Sequence, residues 1–116
     1  MRFPLKLKYT LLLFFLIVHN NVKSQTLKDN LFSKNTTPKI SNALKIADEN
    51  LHMYPDTAFV YYKRALDLSI KEKSNINEAY SLLNIGVCLD MKGEYKEALK
   101  HYLEAKDIYK SKLSSN

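Results

Sequence analysis

Displaced by 40 residues, the chain lies on itself. Ala58 falls on Ala98, Tyr62 on Tyr102, Ala65 on Ala105 and Asp67 on Asp107, with Leu68 on Ile108. The matched positions recur at intervals of three and four, the period of a helix face and not the alternation of a strand. They also fix small residues as firmly as large ones. A generic amphipathic helix gains more by burying leucine at such places. Alanine held in register marks a site where a second helix backbone comes close. The repeat therefore demands two equivalent helices, each packed tightly against a partner.

The partners can be read from the intervening sequence. Thr37-Pro38 is a helix start, a capping hydroxyl followed by proline at the first helical position. Ile40, Ala43/Leu44, Ala47 and Leu51 then follow at helical spacing until "MYPD", where Pro55 disfavours a helical Tyr54. Asp56 is expected to cap the second helix, with Ala58, Tyr62, Ala65 and Ser69 on its face and Phe59, Leu66 and Leu68 alongside. After "KEKSNIN", Asn75 and Glu78 have capping-box spacing. A third helix then presents Leu82, Ile85, Gly86 and Leu89. Gly93 ends it, because glycine enters the left-handed conformation without a side-chain penalty. A fourth helix is expected from about Glu94 to Leu113. No alternating β-branched run occurs, so the fold class is all-α: antiparallel helix pairs stacked as a short solenoid.

This arrangement resembles the tetratricopeptide repeat (TPR) family, whose minimal period is 34 residues. The resemblance is best over residues 79–112. Leu82, Ile85, Gly86 and Leu89 take the family's first-helix positions, Gly93 and Tyr95 the turn, and Ala98, Tyr102 and Ala105 the second helix. Lys110 stands where the family has a late proline. The unit at about residues 38–72 follows the pattern mainly in its second helix, through Ala58, Tyr62 and Ala65. Its first helix has Ala47 where the later unit has Gly86, and Ala47 to Ala58 is one residue shorter than Gly86 to Ala98. The 40-residue offset exceeds the minimal period, which implies longer helices around "KEKSNIN". Longer repeats of this kind look like those in exported sensor segments of bacterial histidine kinases and in transcription regulators. That resemblance supplies an alternative expectation, the N-terminal sensor segment of a longer signalling protein.

The resemblance implies binding of a protein or peptide on a concave face lined by first helices. By the family's pattern that face holds Tyr80, Leu83, Asn84, Val87, Asp90 and Met91. Family members that clamp a C-terminal carboxylate place Lys and Asn at two such positions. Leu83 and Val87 stand here and only Asn84 agrees, so a more apolar groove is implied. Arrays of this kind are usually stable from about three repeats upward. Two units therefore suggest a truncated product, part of a longer array, or self-association.

The N-terminus has its own signature. Arg2, Lys6 and Lys8 precede the apolar run "LLLFFLIV" at 11–18, and polar "HNNVKSQ" follows. That is the order of a secretory signal peptide, and the run is short of the roughly 20 residues of a membrane span. Val22-Lys23-Ser24 places cleavage between Ser24 and Gln25. The expected organisation is a signal peptide at 1–24, a linker at 25–37 with a helical turn near Leu27–Phe32, a helical domain at 38–113 and a tail at 114–116. The product is exported, periplasmic or secreted, with no membrane span after cleavage. Cys88 has no internal partner and reads as a small core residue within "LLNIGVCLDM".

The net charge of +6 concentrates in the leader, which holds Arg2, Lys6, Lys8 and Lys23 and no acid. The remainder carries 14 basic and 12 acidic residues, interleaved as on solvated helix faces. Nucleic acid is therefore not an expected partner. His52 and His101 have no second ligand at i+3 or i+4, so no metal site is expected. Asp48-Glu49 and Asp90…Glu94 read as surface acids. No nucleophile–base pair, phosphate loop or cofactor motif is present, and no catalysis is expected.

Overall fold

The computed structural model describes residues 9–14, 16 and 35–113. The chain divides into two compact units, 1–31 and 32–116. In the first, residues 9–14 are helical. The signal-peptide cleavage point, the turn near Leu27–Phe32 and the tail at 114–116 lie outside the described residues.

The second unit is a succession of helices: α1 Pro38–Asn50, α2 Pro55–Lys71, α3 Asn75–Met91 and α4 Tyr95–Ile108, followed by a π-helical turn over Tyr109–Leu113. No strand occurs among the described residues. Each helix packs on the next in the chain, and the π turn packs on α3 and α4. α2 and α3 have 17 residues each, against 13 in α1 and 14 in α4, so the added length of the repeat lies on both sides of "KEKSNIN".

Position in the stack explains the composition of each helix. α1, α2 and α4 bury one face: Ile40, Ala43, Leu44 and Ala47; Ala58, Tyr62, Ala65 and Ser69; Ala98, Ala105 and Ile108. α3 lies between α2 and α4 and is buried on both sides, through Ile76, Ala79, Leu82, Ile85, Gly86, Cys88 and Leu89. A helix that is apolar nearly all round belongs inside a stack. Cys88 is among these fully buried residues, and burial pushes its thiol pKa up.

Turn chemistry fixes the stack's corners. Thr37 caps α1, its hydroxyl accepting from Ile40 N and donating to Glu72 Oε2 at 2.6 Å. Buried Asn77 donates through Nδ2 to Thr36 Oγ1 and Ser74 Oγ, both at 2.8 Å. The chain entering α1 is thereby fastened to the α2–α3 corner. Gly93 has φ +80°, and Lys73, just after α2, has φ 57°. Both helices thus end in the same left-handed residue, with glycine at only one of the two ends.

Three local expectations change. Asp56 is not the cap of α2: the helix begins at Pro55 after Tyr54, and Asp56 in its first turn pairs with Lys92. Asn75 does not cap α3 but is its first helical residue, with Ser74 at the cap and no side-chain cap bond. The last helix does not run unbroken to Leu113, because it widens into the π turn at Tyr109, where Ser111 Oγ bonds Asp107 O at 2.6 Å.

Candidate partner-binding surfaces

Close approach within the second pair depends on Gly86. A Cβ built there would lie 2.6 Å from Tyr102 Cε1 and 3.2 Å from the Ala98 carbonyl oxygen. The Tyr102 ring of α4 therefore occupies the space that a larger α3 residue would need. Ala98 and Ala105 are buried around it. In the first pair Ala47 takes the place of the glycine, and Tyr62 is completely buried with Ala58 and Ala65.

Each pair also ties its tyrosine to an aspartate of the preceding helix. Tyr62 donates its hydroxyl to Asp48 Oδ1 at 2.6 Å, and Tyr102 donates to Asp90 Oδ2 at 3.2 Å. Tyr80 of α3 donates to the same Asp48 oxygen at 3.0 Å. Its ring meets Tyr62 edge-on, with centroids 6.5 Å apart. Asp48 thus joins three helices. Burial, then the charge of Asp48 and its hydrogen bond, push the Tyr80 phenol up to about 12. The same causes push Tyr62 further in the same direction.

Packing on two sides leaves α3 one outward strip. Leu83 is 38% exposed and Met91 48%, Asp90 is exposed, and Val87 and Tyr80 are partly buried beside them. Leu83, Val87 and Met91 follow each other at intervals of four and so share a face. Asn84 does not belong to it. It is only 9% exposed and its Nδ2 donates back to Tyr80 O at 2.8 Å, so the amide serves its own helix. Tyr95 also departs from expectation. The family pattern at the turn implies a packing role for it, yet it is 68% exposed, because no described helix covers that side of α4.

A second concave surface has no counterpart in the sequence reading. Lys39, Asn42, Ala43 and Ile46 of α1 and Tyr61, Arg64 and Leu68 of α2 line a groove of about 390 Å³. Ile46 and Tyr61, apolar residues off the assigned buried faces, were the available signal. His52 is exposed in the α1–α2 turn, and His101 Nδ1 lies 2.9 Å from Glu97 O. No group of three or more metal-ligating side chains occurs among the described residues.

The alternation of close-packed pairs, the glycine filled by a tyrosine ring and the left-handed corner residue agree with one further finding. Residues 55–111 match the family model of the tetratricopeptide repeat. The chain belongs to that family. The TPR match takes in α2, α3 and α4, whereas α1, the helix without the glycine, lies outside it. No curated protein and no solved structure matches the chain. TPR helices are interaction scaffolds, so protein–protein interaction is the class of activity that membership supports. No described helix is long and apolar enough to cross a membrane.

Proposed function

We propose that this chain is an exported TPR module, without catalysis of its own, that captures a protein or peptide on the outward face of α3. One observation carries the binding reading. Leu83, Val87 and Met91 form an apolar strip on the most extensively buried helix of the stack, with Leu83 and Met91 still exposed and Val87 partly so. An apolar helix or peptide side laid along the strip would bury all three residues, with Asp90 available at its edge. Self-association through the same strip belongs to the same class of function. The charged leader followed by the short apolar run at 11–18 supports export to the periplasm or medium.

The binding half is tested with the full chain produced in its native cell envelope. A photo-crosslinking residue at position 83 should trap a partner, and Met91→Asp should abolish the adduct at unchanged melting temperature. An adduct that survives Met91→Asp would move the site elsewhere. The export half is tested by N-terminal sequencing of the extracytoplasmic product, expected to begin at Gln25. Retention of Met1 would overturn cleavage.

A further inference from the structure

Two concave or apolar surfaces of this chain oppose each other in charge. The first is the α1–α2 groove. Lys39 and Arg64 are its only charged lining residues, both basic and both exposed, with Ile46, Tyr61 and Leu68 between them. The second is the α3 strip. A full count along each helix sets α3 apart. α1 carries two bases and two acids, α2 three and two, α4 three and three. α3 carries Glu78 and Asp90 and no base. Of these two acids Glu78 is partly buried, whereas Asp90 is exposed beside Met91 at the end of the strip.

The two surfaces also agree in length. Leu83 to Met91 spans about 12 Å of helix, and Lys39 to Ile46 and Tyr61 to Leu68 span about 10 Å each. A helix side with apolar residues four apart is what a groove between two helices accepts. Within one molecule the two cannot meet, because α3 is fixed on α2 and α4 through its buried side chains. Other pairings of this chain's surfaces lack the charge match. Strip against strip brings together two helices that carry only acids. The exposed stripe of α4, Tyr95, Leu99 and Leu103, belongs to a helix balanced in charge and has Lys106 three residues beyond Leu103. Both halves of one contact, matched in length and opposite in charge, are therefore present in a single chain, and a second copy is the occupant that uses both. We infer that the α3 strip of one copy docks in the α1–α2 groove of the next, with Asp90 toward Lys39 and Arg64. This rests on the reading of the α3 strip as the binding face and names its partner. The contact joins two different surfaces, so each copy keeps one groove or one strip free and the assembly grows as a chain or closes as a ring.

The test is sedimentation velocity on the chain purified from its native envelope, over a concentration series. The native chain should form oligomers that grow with concentration and weaken with added salt. Ile46→Asp and Leu83→Asp, each shown to be folded by its melting curve, should be monomeric alone. Their equimolar mixture should form a heterodimer and nothing larger, because one intact strip then meets one intact groove. Asp90→Lys should weaken association about tenfold, as should Lys39→Glu with Arg64→Glu, and the chain carrying all three changes should recover it. These surface charge reversals keep the test decisive if either apolar-to-acid variant fails to fold. A native chain that stays monomeric, a mixture that stays monomeric, or no recovery in the triple variant would overturn the proposal. So would an oligomer dissolved by Leu99→Asp and not by Leu83→Asp, which would assign the contact to α4. A dimer untouched by Ile46→Asp would assign it to strip against strip and would equally overturn it. A monomeric chain that still gives the position-83 adduct with another protein would overturn self-docking and leave the α3 strip as the binding face, whereas loss of that adduct as well would overturn both readings.

Discussion

The α1–α2 pair and the α3–α4 pair use one device with different results. Each sets a tyrosine of its second helix among alanines and ties its hydroxyl to an aspartate of its first. Tyr62 is completely buried, whereas Tyr102 remains partly exposed. The difference comes from the neighbours. α3 stacks on α2 and brings Tyr80 against Tyr62, while α4 has only α3 and the π turn beside it. Burial in a repeat stack is thus a property of position, since each unit contacts only its neighbours. Truncation should expose this inequality most strongly. Tyr62→Ala is expected to cost about 3–5 kcal/mol, as for other large aromatic deletions in cores. Tyr102→Ala should cost clearly less. Chemical denaturation of both variants checks the order, and equal losses would mean that the two sites are energetically equivalent despite their burial.

The next comparison concerns the small residues. Ala98→Leu should overpack the α3–α4 contact by about 1–3 kcal/mol. Gly86→Ala places a Cβ against the Tyr102 ring but gains helix propensity of roughly 1 kcal/mol, which offsets part of the strain. Its net loss should therefore be smaller than that of Ala98→Leu. Combining Gly86→Ala with Tyr102→Leu should remove the steric part, so the double variant should be more stable than the sum of the single losses predicts. Strict additivity would separate the glycine from the ring. An unchanged melting temperature for Ala98→Leu would remove the packing role assigned to Ala98.

The fold was legible because its constraints are local and periodic. Ala58, Tyr62, Ala65, Ala98 and Ala105 announce buried helix faces by spacing, and Gly93 announces a left-handed corner. What was not legible depends on neighbours in space. Asn84 lies at a position associated with an exposed face, but its amide turns back on its own helix. Tyr95 carries a packing residue's identity and has no described helix to pack on. The α1–α2 groove is lined by side chains of two helices, Ile46 and Tyr61 among them, that meet only in the folded chain. Asp48 reads in the sequence as one of many surface acids, because two tyrosines from separate helices converge on it only in the folded chain.

The two corner residues give a smaller and more local comparison. Gly93 and Lys73 occupy equivalent left-handed positions after α3 and α2. Gly93→Ala should cost about 1 kcal/mol, the steric penalty less the entropy that alanine saves. Lys73→Gly relieves that penalty and should stabilise by somewhat less than 1 kcal/mol. Opposite shifts in melting temperature are the expected result. A loss on Lys73→Gly would mean that the lysine side chain contributes more than its backbone conformation costs.

A comparably small effect at neutral pH is expected at Tyr80, where the two pairs meet. Tyr80→Phe removes one donor to Asp48, but Asp48 is exposed and retains the Tyr62 hydroxyl, so the loss should be about 0.5–1.5 kcal/mol. Alkaline pH separates this site from an ordinary hydrogen bond. A phenol of pKa 10.0 in the unfolded chain and about 12 in the folded one keeps its proton preferentially when folded. Its contribution is complete below pH 10 and is lost as pH rises through about 12. Tyr80→Phe should therefore flatten the decline in melting temperature between those values without abolishing it, because Tyr62, pushed higher still, contributes to the decline from pH 10.0 upward and beyond the Tyr80 window. Spectrophotometric titration of the phenols, together with melting curves at neutral pH and near pH 11, decides the matter. An alkaline decline as steep in Tyr80→Phe as in the native chain would show that the Asp48 junction does not couple the two helix pairs through this proton.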